Sequence, residues 1–234
     1  MDKSVTKITV RVRRMGQRLL MDADFYRDKH DVVCDVRGGI IPRGLIFESN
    51  GRRPAGRGSI IVGVNPGNAE KDEKEFYKNH KDYKDIAAYW EENILSKEYY
   101  RNLRSLVDQV GLVGPILWTE LVKCESASVD GKKRELQVET IRADINEHLF
   151  QEIELTPGNW PLIGISKPAY AILSYRFPKR TVIGIPHATA SFGYFDRLFN
   201  DGILKLEFKQ MLMQALQSQK PAAVALFGIG KSNQ

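Results

Sequence analysis

The chain has 234 residues, of which 42% are hydrophobic, 27% charged and 9% aromatic, values that exclude wholesale disorder and fibrous repeats and suffice for a full core. Its net charge of +6 lies entirely in residues 1–58, which hold 13 Lys+Arg against 7 Asp+Glu, whereas residues 59–234 hold 22 of each. Apolar runs such as 222–227 are far short of a membrane span, Met1-Asp2-Lys3-Ser4 has no apolar signal core, and two cysteines, Cys34 and Cys124, are too few for a disulfide framework or a thiolate-held zinc or iron–sulfur cluster. These features point to a reducing, cytoplasmic setting without a membrane.

In chain order, Ile8-Thr-Val-Arg-Val alternates as a strand does, and residues 16–29 have a helical pattern. A Gly/Pro/Arg stretch, Arg37 to Gly44, precedes the short apolar run Leu45-Ile-Phe. Asn50-Gly51 marks a turn, and residues 1–55 read as a basic N-terminal extension packed on a single domain spanning 1–234. Four apolar runs, 59–64, 115–119, 161–165 and 181–185, predict strands buried on both faces. Amphipathic stripes separate or follow them: Tyr99, Leu103, Leu106, Val107 and Val110; Val138, Ile141, Ile145 and Leu149; Leu204, Phe208, Leu212 and Ala215. The polar stretch Ser126 to Arg134 predicts a mobile loop, and residues 228–234 a frayed tail. The pattern predicts an α/β fold, a three-layer α/β/α sandwich with a central mostly parallel sheet.

Ligands of open parallel sheets bind beyond the carboxyl ends of the strands. That rule selects Asn65-Pro66-Gly67-Asn68, Glu120-Leu-Val-Lys123-Cys124, Ser166-Lys167-Pro168 and Pro186-His187-Ala188-Thr189-Ala190-Ser191. His187 is the histidine at such a mouth, while His30, His80 and His148 read as surface residues. Lys71, Lys74, Lys78, Lys81 and Lys84 alternate with acids and predict a solvated helix face. The absence of Gly-x-Gly-x-x-Gly, Walker and Gly-x-Ser-x-Gly patterns argues against a dinucleotide or ATP enzyme and a serine hydrolase.

Three of these stretches, Gly63-Val-Asn65-Pro66-Gly67, Thr119-Glu-Leu-Val-Lys-Cys124 and Pro186-His-Ala-Thr-Ala-Ser191, together resemble the uracil-DNA glycosylase superfamily in type, order and placement at strand ends over residues 55–216. The resemblance implies a DNA glycosylase that hydrolyses the N-glycosidic bond of a modified or mismatched, flipped-out base. The transition state is oxocarbenium-like and the base departs with negative charge. By resemblance, Asn65 orients the water and His187 stabilises the departing base. Gly63, Val64, Phe76, Tyr77 and Glu120 fall at base-binding positions, with Phe76 or Tyr77 as the stacking aromatic. Arg52, Arg53, Arg57, Lys123, Lys167 and Ser191 are the expected nucleic-acid contacts. The implied partner is DNA, the protein acts as a monomer, and no cofactor or metal is called for.

Two positions depart from the family pattern. Glu120 stands where an asparagine usually reads the base edge, and Ala188 follows His187 in place of proline. Ionised, Glu120 accepts from an exocyclic amine; protonated by burial, it donates to a carbonyl. These departures leave open a catalytically silent nucleic-acid- or nucleotide-binding member of the same fold, or an α/β enzyme taking a small phosphorylated ligand.

Overall fold

The computed structural model describes residues 3–49, 53–189 and 193–227. In chain order its elements are α1 (Lys3–Met21), β1 (Val32–Val33), β2 (Ile46–Glu48), β3 (Ser59–Gly63), α2 (Lys71–Asn79), α3 (Tyr83–Tyr89), α4 (Glu98–Gln109) and β4 (Ile116–Glu120). Next come β5 (Glu125–Ser126), β6 (Ser128–Val129), β7 (Lys132–Lys133), α5 (Val138–Asp144), α6 (Phe150–Glu154), β8 (Leu162–Ile165) and α7 (Lys167–Arg176). The last are β9 (Val182–Ile185), β10 (Phe199–Asn200), β11 (Ile203–Leu204), α8 (Leu206–Gln217) and β12 (Ala223–Ala225).

The fold is a mixed α/β sandwich around a six-stranded, mostly parallel sheet in the order β12-β9-β8-β3-β4-β2. All four strands expected from the apolar runs are present, and two short edge strands, β2 and β12, extend them. β3 pairs in parallel with β8 (Ile60↔Leu162), β8 with β9 (Ile163↔Ile183) and β9 with β12 (Val182↔Ala223). Every residue of β3, β8 and β9 is buried, as runs covered by helices on both faces require. Each fully buried Ile, Leu or Val contributes roughly 1.5–3 kcal/mol of transfer free energy. Because later strands add to both sides of β3, the winding direction switches at that strand, whose carboxyl end runs straight into Asn65-Pro66-Gly67.

The chain divides into two compact units: 1–47, 64–92 and 118–156 form the first, and 48–63, 93–117 and 157–234 the second. In the second unit, α7 lies against β8 and β9 because Gly164 and Gly184 have no side chain; a Cβ on Gly184 would sit 2.6 Å from the Tyr170 ring. In the first unit, α1 packs on α3. The Tyr83 ring occupies the space a Cβ on Gly16 would need, and the Gln17 side chain accepts from the Tyr83 N–H at 2.8 Å while donating to the Lys81 carbonyl at 3.1 Å.

The expected strand at 8–12 is instead part of α1. The alternating residues Ile8 and Val12 are also four apart, and with Leu19 they make a buried helical stripe that leaves Val10 exposed. The expected loop 126–134 contains a hairpin of β6 and β7, turned by Asp130 (φ 51°) and Gly131 (φ 75°), the two positive-φ positions of a tight two-residue turn. His148 is a correction too. It is 7% exposed, its ring meets Phe25 edge-on at 5.2 Å, and burial with the nearby Lys123 pushes its pKa down to about 3. The Asn50-Gly51 turn and the 228–234 tail lie outside the described residues. Among the described residues, no helix is long and apolar enough to cross a membrane.

Candidate functional site

In the first unit the loops after β3 and β4 are tied together by the Gly/Pro/Arg stretch. Val122 N–H donates to the Val64 carbonyl at 3.0 Å, and Arg43 N–H to the Lys123 carbonyl at 2.8 Å. The buried Arg43 guanidinium pairs with Glu125 at 2.7 Å, lies 3.9 Å from Glu73 and donates to the Gly67 carbonyl. Glu125 in turn accepts from the Ala69 N–H at 2.8 Å. Arg43 therefore clamps the Asn65-Pro66-Gly67 turn to the segment after β4. Its only trace in the sequence is a single arginine between Pro42 and Gly44 in an otherwise apolar run. Gly44 is needed beside it: at φ +103° a Cβ there would lie 2.6 Å from the Glu120 Cγ and 3.8 Å from the Pro66 Cγ.

Asn65 is half-buried with a defined amide orientation. Its Nδ2 donates to Ser126 Oγ at 3.1 Å and faces the Cys124 and Pro66 carbonyls, both at 3.4 Å. Two carbonyl acceptors can only face the nitrogen end of the amide, which assigns Oδ1 to the opposite side. Oδ1 has no hydrogen-bond partner among the described residues, so among them it is an unused acceptor. Ser126, which the sequence reading placed in a mobile loop, is the residue that orients it.

Glu120 ends β4, half-buried by area, yet its Oε2 is sealed from solvent with no hydrogen-bond partner among the described residues. Burial pushes its carboxyl up to about 8, against the pull of Lys123 and Arg43 and with a further push from Glu152. At neutral pH it is a protonated acid. Lys123 is a correction to the expected nucleic-acid contacts. It is 0% exposed, and its Nζ donates to Glu152 at 2.8 Å, to the Glu120 carbonyl at 2.7 Å and to the Thr119 hydroxyl at 2.6 Å.

Tyr77 is likewise closed to a base: it is 0% exposed, and its hydroxyl donates to Glu73 and accepts from the Trp90 indole. Phe76 is half-buried and stacked between His80 and Tyr89, at 3.9 and 4.2 Å. Gly63 is buried at the end of β3 and Val64 half-buried after it.

In the second unit, His187 follows β9. Its Nδ1 accepts from the Thr189 N–H at 3.3 Å, which puts the ring proton on Nε2, and its ring lies 5.1 Å from that of Tyr99. Burial holds its pKa below 6.5, so the ring is a neutral Nε2–H donor at neutral pH. Lys167 is exposed in the first turn of α7. Ser166 before it has φ 83° and ψ 161°, an extended positive-φ region that costs a serine about 1–3 kcal/mol and is concentrated at functional sites.

Arg53 is a correction of the same kind as Lys123, and Arg57 is tied down in part. The Arg53 side chain is 5% exposed, bonded to Asp108 at 2.6 Å and to the Gly114 and Leu112 carbonyls at 2.9 Å. Arg57 donates to the carbonyls of Asn159 at 2.8 Å and Leu216 at 2.6 Å. The Arg53 guanidinium is spent within its own unit, whereas Arg57 stays half-exposed with its Nε and Nη1 on backbone carbonyls. Arg52 and Ser191 lie outside the described residues.

No protein-family model matches the chain, and no curated protein matches it.

Proposed function

We propose that the chain hydrolyses the N-glycosidic bond of a modified or mismatched base in DNA. The observation that supports this reading most is the Asn65 amide, fixed by Ser126 and the Cys124 carbonyl with its acceptor oxygen left for a ligand. Such an acceptor holds one O–H of a water and aims the lone pair at C1′ of the sugar. An amide is too weak a base to remove the proton early, which suits a transition state in which the base has largely departed before water adds. The neutral His187 is matched to the second task. Within the second unit it carries a neutral Nε2–H donor of the type that stabilises charge gathering on a leaving base, and a neutral donor loses nothing to charge desolvation. The protonated Glu120 supplies a donor for a base carbonyl.

The test is incubation with oligonucleotides carrying uracil, hypoxanthine, xanthine or mismatched bases, with alkaline cleavage of abasic product. Asn65→Ala is expected to lower excision by about 100-fold or more, because a group that positions the attacking water acts in the transition state. DNA affinity is expected to stay within about 1 kcal/mol. The second reading is the silent binder, favoured by Glu120 in place of an asparagine. Normal DNA binding with every base left intact establishes it and reduces Asn65 to a turn residue.

A further inference from the structure

With Arg53 and Lys123 engaged internally, and Arg57 in part, the basic excess needs another outlet, and α1 has the required form. It holds six basic residues and no acidic one. Lys7, Arg11, Arg14 and Arg18 are spaced four, three and four apart, which puts them within about 60° of arc on one face. All four are exposed. Arg18 reaches Glu147 at 3.1 Å; Lys7, Arg11 and Arg14 make no ion pair among the described residues. The opposite side of the helix is occupied: Ile8, Val12 and Leu19 are buried and Gly16 lies under Tyr83. α1 thus has no apolar face to insert into a lipid surface, and what it presents is a row of cations. Successive members rise about 4.5–6 Å along the axis, a spacing long side chains readily match to the phosphates of one strand.

We propose that Lys7, Arg11, Arg14 and Arg18 form a binding surface for the phosphate backbone of a nucleic acid. This rests on the nucleic-acid part of the proposed function and is independent of hydrolysis. The experiment is fluorescence anisotropy with a labelled single strand and its duplex over a salt series. The variant Lys7→Gln/Arg11→Gln/Arg14→Gln is expected to lower the slope of log affinity against log salt by about 2–3. The single variant Arg11→Glu is expected to lower it by about one or more, and serves if the triple variant loses its helix. Arg57→Ala is expected to leave the slope unchanged. An unchanged slope in the α1 variants overturns the proposal, as does binding to phosphatidylserine vesicles without binding to either oligonucleotide. A wild-type protein that excises nothing but binds with this slope removes the hydrolytic reading alone.

A separate observation concerns the two cysteines. β1 and β5 pair antiparallel with Val32 opposite Ser126 and Val33 opposite Glu125, so the next pair in register is Cys34 and Cys124. The Ala127 N–H donates to the Asp31 carbonyl at 2.8 Å, which makes 31–127 a hydrogen-bonded pair. By alternation 34–124 is a non-hydrogen-bonded pair, the kind with Cα atoms about 4.5 Å apart and side chains closest. That separation is within disulfide range. Both thiols join the cluster of Tyr26, Val32 and Val122, with Cys124 buried and Cys34 half-exposed.

We infer that Cys34 and Cys124 form a reversible disulfide with glutathione disulfide as oxidant. The Cys34 thiolate attacks one glutathione sulfur and displaces a glutathione thiolate. Cys124 then loses its proton to solvent and attacks Cys34 Sγ, which breaks the mixed disulfide and releases the second glutathione. Two protein thiols are oxidised and one glutathione disulfide is reduced. The Cys124 hydrogen bond holds the Cys34 thiol below its ordinary range while burial pushes Cys124 up, so Cys34 is the point of entry. One of the two cysteines touches the candidate site through the backbone, since the Asn65 amide faces the Cys124 carbonyl.

The full chain is equilibrated in glutathione buffers, quenched with an alkylating reagent and weighed. Oxidised wild type is expected to lose two hydrogens and take up no alkyl group, while Cys124→Ser stops at a glutathione adduct on Cys34. A wild type that stops at the same adduct, or stays reduced in the most oxidising buffer, overturns the inference.

Discussion

Lys123→Met is expected to destabilise the protein by about 3–5 kcal/mol in urea unfolding, the cost of breaking a fully buried ion pair from one side. Lys123 and Glu152 are 0% and 2% exposed at 2.8 Å, and Thr119 and the Glu120 carbonyl take the remaining ammonium donors. Without the ammonium, Glu152 retains the Thr119 hydroxyl and no cation at that distance. The double variant Lys123→Met/Glu152→Gln is expected to recover most of the loss, because the amide keeps an acceptor for Thr119 and carries no charge to compensate. A lysine that contacted phosphate from the surface would behave oppositely. Its loss would cost under about 0.5 kcal/mol and reduce the salt slope of DNA binding. If Lys123→Met unfolds at the wild-type midpoint, the buried network is not what holds β4 to α6.

The same pair shows which features the sequence makes legible. The runs 59–64, 115–119, 161–165 and 181–185 are readable because a strand covered on both faces needs unbroken apolar residues, and no other element competes for runs that short. Residues 8–12 are not, because five residues carry an alternating and a helical stripe at once, and the helix shows only when the stripe is followed to Leu19. At the site, the rule about strand ends finds Asn65, Glu120 and His187 as residue types at those ends, which is local information. Whether a cation faces solvent depends on partners far along the chain. Lys123, in the loop after β4, meets Glu152 on α6, Arg53 meets Asp108, and Arg43 meets Glu125. Those encounters leave no periodic trace, so all of the contacts read as surface charge were exposed to the same error. His148 did leave a trace. Three residues after Ile145 and beside Leu149, it continues the buried stripe that enters α6.

Glu120→Gln is expected to change how stability depends on pH. A carboxyl whose folded pKa lies above its unfolded value binds its proton more tightly in the folded protein. Its contribution is fully present below the ordinary 4.5 and is lost as pH rises toward about 8, where the folded form finally ionises. Allowing for its partial exposure, the loss over that window is about 3 kcal/mol. Two other buried groups titrate below it. Burial pushes Asp144 up to about 6, which loses stability between 3.8 and 6, and His148, held down near 3, gains stability as pH rises toward 6.5. Both are common to wild type and variant, so the difference between the two unfolding curves isolates Glu120. Near pH 4.5 the two proteins are expected to be equally stable within about 1 kcal/mol, since a protonated acid and an amide each present one donor end to the site. Above pH 8 the glutamine variant is expected to be the more stable by about 3 kcal/mol. The same ionisation bears on the proposed chemistry. The acid donates to a base carbonyl only while protonated, so any excision of uracil is expected to fall in wild type as pH passes 8 and to persist in Glu120→Gln. Parallel stability curves across the whole range would mean that the sealed Oε2 is solvated in solution, and with it would go the donor assigned to Glu120.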